Sequence, residues 1–157
     1  MNGVAAGAGV SLALAADLVV AAEGARFVPA FARIGLVPDS GLTRALVRGV
    51  GRHRAFEILM GERQLGADDA RDMGLVAAVV PADQLLDVAS ELARRLAAGP
   101  TVAIGLTKRL LNRAEDATLA DALAVEAALQ DVAGRTGDHA EGVAAFGEKR
   151  DPEFRGR

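Results

Sequence analysis

The chain has 157 residues, 18 basic side chains against 21 acidic ones, and a formal charge of −3. Its apolar fraction of 51% with so small a charge excludes a disordered chain, and an aromatic fraction of 3% with no basic excess excludes an electrostatic nucleic-acid binder. The absence of Cys excludes disulfide scaffolds, thiolate metal sites and cysteine nucleophiles, and leaves the cytoplasm as the default compartment.

The run from Val4 to Ala16 is almost wholly apolar, yet no positive charge precedes it, and Asp17 and Glu23 interrupt it before the roughly 20 apolar residues a membrane span needs. It reads as buried core, with no membrane partner. Gly3, Gly7 and Gly9 make an abrupt entry into a helix over Val10 to Ala16. Leu18 to Ala22 and Ala25 to Val28 are short apolar runs of the buried-strand type, the second closed by Pro29. A loop with Gly and Pro punctuation follows through Gly41, then helices over Leu42 to Arg48, with Asp39 or Ser40 as cap, Arg52 to Met60, and Ala67 to Met73. Leu75 to Val80 is a strand ended by Pro81.

Beyond Pro81 the pattern is helical. Leu85, Ala89, Leu92 and Leu96 mark one helix, stopped by Gly99-Pro100; Val102, Leu106 and Leu110 mark the next. The helix around Leu119 to Leu129 is apolar over a broad arc and is expected to be buried on more than one side. A last helix over Asp138 to Glu148 precedes a charged tail, which composition reads as solvated. The order gives an α/β core over 1–80 and a helical region over 81–157.

Two segments carry candidate chemistry. Gly3 to Leu12 resembles a dinucleotide fingerprint but has Leu12 where the third Gly belongs. It reads either as a tight turn into a packed helix or as backbone N–H donors of Ala8 and Gly9 aimed at an oxyanion. Pro38-Asp39-Ser40-Gly41 is good turn and capping chemistry. Alternatively, Asp39 is a base whose apolar surround, Ile34, Leu36, Val37 and Leu42, raises its pKa. His53 and His139 have no ligand-spaced partner, so no metal site is expected, and Ser11 lacks the setting of a hydrolase nucleophile.

Asn2 to Asp17, with its run Asn2-Gly3-Val4-Ala5-Ala6-Gly7-Ala8-Gly9-Val10-Ser11-Leu12, resembles the signature of the crotonase superfamily, the enoyl-CoA hydratases and isomerases. The resemblance continues through Ala25-Arg26-Phe27, Gly35 to Gly41, Gly51 to Ala55, Gly61-Glu62-Arg63, Ala70, Gly74-Leu75-Val76, Glu141 to Arg150 and Pro152-Glu153-Phe154. It implies the second part of a crotonase-like (ClpP/crotonase) ββα spiral with a helical C-terminal trimerisation region. It also implies an acyl-CoA thioester substrate, with coenzyme A as part of the substrate and no separate cofactor. The backbone N–H of Ala8 falls at the second oxyanion donor, and Gly7, Gly9, Ser11, Phe31 and Leu36 fall around the substrate. Phe146 and Lys149 fall near the CoA, often that of a neighbouring subunit in a homotrimer or hexamer.

The two glutamates of the family's hydratases correspond here to Ser11 and Phe31, whereas Asp39 matches the single carboxylate of its isomerases. One base that takes an α-proton and returns it at the γ-carbon suffices to move a double bond. Phe31 to Gly41 is especially similar to the 1,2-epoxyphenylacetyl-CoA isomerases, so the resemblance implies an isomerase of fatty-acid or phenylacetate catabolism with Asp39 as proton shuttle. An atypical hydratase, a thioesterase, and a non-catalytic fragment that assembles with a longer homologue are the alternatives. The last arises because the family's domain has an upstream stretch with several core strands and the first oxyanion donor, while this sequence starts at Met1. Either the start is misplaced or the chain works only with a partner.

Overall fold

The computed structural model describes residues 1–61, 64–114 and 116–157. Glu62 and Arg63 of the Gly61-Glu62-Arg63 match, and Glu115, lie outside the described residues. The chain divides into two compact units, Met1–Ala89 and Ser90–Arg157.

In the first unit, strand β1 (Val4–Ala6) leads through Gly7 into helix α1 (Ala8–Leu14). The strand stands where composition suggested only a glycine-rich entry. Pairing makes it one: Val4, Ala5 and Ala6 lie in parallel register with Arg26, Phe27 and Val28. The partner is β3 (Arg26–Val28), and the connection passes through β2 (Val20–Ala22), which is buried along its length. Gly7 has φ +50°, backbone that suits glycine, and its N–H donates to the Val28 carbonyl at 2.9 Å. The β2 strand pairs in parallel with β5 (Ala78–Val80), and β4 (Leu65–Gly66) pairs antiparallel with β3, giving the order β1-β3-β4. All three apolar runs expected as strands are strands, each shortened to three residues.

A 3₁₀ helix over Ala30–Ile34 occupies part of the expected loop and ends at Gly35, φ +71°. Helix α2 (Leu42–Met60) joins the two helices expected there, and Gly51 interrupts it at φ +76°, ψ +164°. Its N-cap is Gly41 rather than Asp39 or Ser40. Ser40 and Gly41 are both left-handed, at φ +50° and +82°, and this turn lets the Asp39 backbone carbonyl accept from Leu42 N–H at 3.0 Å in place of any side-chain cap. Helix α3 (Ala67–Asp72) closes the unit with β5. One core results, in which Val10, Phe27, Leu42 and Leu46 are almost wholly buried and Phe31, Ala55, Ile58 and Leu59 join them. A Cβ on Gly49 would stand 2.7 Å from Leu75 Cδ2, so glycine permits the close approach of α2 to that side chain.

Helix α4 (Leu85–Ala97) runs across the boundary between the units, followed by α5 (Thr101–Ala114), α6 (Leu119–Gly134) and α7 (Gly137–Glu148). Helix α5 packs on α6 and α6 on α7. Thr118 and Thr136 cap α6 and α7, their hydroxyls accepting from the N–H of Asp121 at 3.2 Å and His139 at 3.1 Å. Two expectations are corrected here. The apolar arc of α6 is not buried: no residue of that helix is, and Leu119 is 75% exposed. Composition fixes how much apolar surface a helix carries, not whether its own chain covers it.

The charged tail is not a loose solvated end either. Asp138, only 4% exposed, accepts from Arg155 N–H at 2.7 Å and Gly156 N–H at 2.9 Å. Glu141 accepts a two-pronged pair from Arg150 at 2.6 and 3.1 Å and the Glu153 N–H at 2.8 Å. The Arg150 guanidinium, then the Glu153 N–H, hold the Glu141 carboxyl down from its ordinary 4.5 to about 2. In turn the Glu141 carboxylate, then that of Glu148, push Arg150 up. Two carboxylates in the first turns of α7 thus fold the tail back upon the helix. Among the described residues, no helix is long and apolar enough to cross a membrane.

Candidate active site

The turn between β1 and α1 sets the first part of the site. The leading N–H groups of a helix have no partner within it, and here the helix begins at exposed Ala8. Gly9 follows with room to spare, since a Cβ there would meet the Ala5 Cβ at an ordinary 3.9 Å. Below the turn lies Phe31, buried in the core, with a ring atom 3.9 Å from where a Cβ on Gly7 would stand. Val10 anchors α1 in that core, and Ser11 beside it is 2% exposed.

Ser11 brings in the second part. Its hydroxyl donates to the backbone carbonyl of Asp39 at 3.1 Å, joining α1 to a loop 28 residues away. Asp39 itself is exposed. The apolar pocket expected around it is not what its neighbours form: Ile34, Leu36 and Val37 are exposed, Val37 to 80%. The 3₁₀ helix buries Phe31 inward, which leaves the following residues to present their side chains outward. Leu36 is held through its backbone, donating to the Phe31 carbonyl at 3.0 Å.

Phe146 and Lys149 lie in the second unit, at the end of α7. Phe146 is 88% exposed and borders a groove of about 440 Å³ that His139 and Phe154 also line. Lys149 is the left-handed C-cap of α7 at φ +57°, and it too is exposed. The structure therefore brings together Gly7, Ala8, Gly9, Ser11, Phe31, Leu36 and Asp39 within one unit. Sequence reading missed the Ser11–Asp39 bond, for which no spacing rule gives a signal. It also missed the role of Asp138, which it set only at the start of the last helix. Among the described residues no three His, Cys, Asp or Glu side chains come together as a metal site requires.

Comparisons with known proteins match the whole chain. The family profile described as enoyl-CoA hydratase/isomerase matches residues 1–157. A 1,2-epoxyphenylacetyl-CoA isomerase of Escherichia coli K12 is 47% identical over 157 residues, all of this chain and 60% of that protein. A 2,3-dehydroadipyl-CoA hydratase of the same organism is 38% identical over 157 residues, with 62% of its length covered. The crystal structure of an enoyl-CoA hydratase/isomerase from Cupriavidus metallidurans CH34 superimposes with a TM-score of 0.93 at 40% identity, covering 98% of this chain and 58% of that one. The chain thus spans about 60% of the length of the curated relatives it matches.

Proposed function

The chain belongs to the enoyl-CoA hydratase/isomerase family and has its crotonase fold, and on that premise we propose that it forms the proton-transfer side of an acyl-CoA isomerase. The observation that carries the reading is the bond that joins Asp39 to α1 through Ser11; the family resemblance sets Ser11 and Phe31 at the positions of the hydratases' two glutamates. The Asp39 carboxylate takes the α-proton of a 3-enoyl-CoA. Negative charge moves onto the thioester oxygen, where the Ala8 N–H stabilises it, and the same carboxyl returns the proton to the γ-carbon to leave a 2-enoyl-CoA. Gly7 and Gly9 let the backbone approach the thioester, Phe31 supports the turn, and exposed Leu36 offers apolar surface to the acyl chain.

Phe146 and Lys149 supply an apolar face and a positive charge for the CoA of a neighbouring subunit; CoA is part of the substrate, and no separate cofactor is invoked. The exposed apolar arc of α6 supports assembly into a homotrimer or hexamer. The 47% identity to a 1,2-epoxyphenylacetyl-CoA isomerase supports a place in phenylacetate or fatty-acid breakdown; the cytoplasm is the proposed compartment. A second reading, an atypical enoyl-CoA hydratase, draws on the 38% identity to a relative of that activity.

Replacing Asp39 by Asn tests the proposal. Removal of the base should lower 3-enoyl-CoA isomerisation at least about 100-fold while the melting temperature holds. Undiminished turnover would overturn the shuttle, and a 3-hydroxyacyl-CoA product from the unaltered protein would favour the hydratase.

A further inference from the structure

The bond between Ser11 and Asp39 does something that neither residue does alone. Ser11 sits beside Val10 in the buried part of α1, on a helix that packs against α2. Asp39 sits in the exposed stretch 32–37 and its continuation to Gly41, where Pro38 alone is half-buried. Two named backbone bonds hold this stretch locally, Leu36 N–H to the Phe31 carbonyl and Leu42 N–H to the Asp39 carbonyl. The Ser11 hydroxyl reaches the same Asp39 carbonyl from another element. A carbonyl oxygen has two lone pairs, so both donors are accommodated at once. Two donors from two directions fix the peptide plane after Asp39, and with it the direction in which the Asp39 side chain leaves the backbone. Ser40 at φ +50° indicates that this turn is held in a conformation a non-glycine residue adopts reluctantly.

We infer that Ser11 is a positioning residue: its buried hydroxyl clamps the Asp39 carbonyl and thereby aims the Asp39 carboxylate relative to the start of α1. The inference rests on Asp39 being the proton shuttle. It assigns Ser11 a task through the protein backbone, without direct contact between Ser11 and the substrate. Ala in its place keeps the helix, since Ala is the better helix former. It also leaves the Asp39 carbonyl satisfied by Leu42 N–H, so loss of the clamp acts on position rather than on folding.

Four proteins test it: Ser11→Ala, Ser11→Thr, Asp39→Asn, and Ser11→Ala combined with Asp39→Asn. Two readouts are taken, steady-state isomerisation of a 3-enoyl-CoA and amide hydrogen exchange across residues 36–42. Misplacing a general base by an ångström or less should lower kcat about 10- to 100-fold in Ser11→Ala. The KM should stay within about twofold, because substrate binding is untouched. Exchange across 36–42 should quicken, the melting temperature should hold, and Ser11→Thr, which retains the hydroxyl, should restore both rate and protection. Added to Asp39→Asn, the Ser11 change should cost nothing more.

Parent-like exchange in Ser11→Ala would overturn the clamp whatever the activity. Faster exchange with unchanged kcat would overturn the positioning role, as would a further loss on the Asp39→Asn background. If Asp39→Asn itself retains turnover, the shuttle reading has failed and the positioning role falls with it, while the exchange data still decide the clamp.

Discussion

In residues Met1–Ala89, apolar side chains close over one another: Phe27, Leu42 and Leu46 are almost wholly buried, and buried residues from three α-helices and three strands share the core. In Ser90–Arg157, the buried residues among those described are Asp138 and Ala145, a carboxylate and a small methyl. Leu111, Leu119, Leu123, Val132 and Val143 stay exposed there. The difference teaches that similar apolar content can be spent in two ways. The first unit specifies itself by burial. The second is specified locally by polar fastenings, threonine caps and carboxylates on backbone N–H groups, and leaves much of its apolar surface exposed.

The largest effect should come from the first unit's core. Leu46→Ala removes a side chain with no room to collapse around the void, and should cost about 2–5 kcal/mol in denaturant unfolding. A loss under 1 kcal/mol would break the contrast at its strong end. Next is the tail fastening. Asp138→Ala strips two backbone N–H groups of a charged acceptor and should cost about 2 kcal/mol, with trypsin newly cutting after Arg155. Tryptic resistance equal to the parent's would show that the tail is held by something else.

The third test uses pH. Glu141 has its folded-state pKa lowered from 4.5 to about 2, chiefly by Arg150 and then by the Glu153 N–H. Its contribution is therefore complete above 4.5 and declines as pH falls through about 2. The Glu153 amide resonance should titrate near the lower value, and a midpoint near 4.5 would mean that the carboxylate is unfastened. The smallest effect on stability should follow Leu119→Ser on α6, within about 0.5 kcal/mol for so exposed a residue. The same change should lower the assembly mass in sedimentation if α6 lies in a subunit interface, and an unchanged mass would remove α6 from it.

How much of this was legible in the sequence follows the same division. The short strands β2, β3 and β5 announced themselves as apolar runs, and β2, buried along its length, needs no alternation. The Ala-rich β1 did not, since it is a strand by virtue of Arg26 to Val28 alongside it. Two-residue β4 is too short for any pattern. Of the site, Ala8 and Asp39 could be located by resemblance, but the exposure of Asp39 could not. Local sequence showed apolar neighbours at Ile34, Leu36 and Val37 without showing that the 3₁₀ helix leaves them outward. Contacts across 28 residues, as from Ser11 to Asp39, or 17, as from Arg155 to Asp138, have no periodicity to betray them.

The interruption of α2 at Gly51 has a consequence for angular phase. Each helical residue advances the side-chain direction by about 100°, so the nine steps from Leu46 to Ala55 would leave those two about 180° apart on a straight rod. Both nevertheless lie in one core, with Leu42 on the first side of the break and Ile58 and Leu59 on the second. The left-handed backbone at Gly51 resets the rotation, so that one long element presents an inward face twice. A side chain at position 51 would strain that reset, and a rod straightened there would turn either Leu46 or Ala55 out of the core.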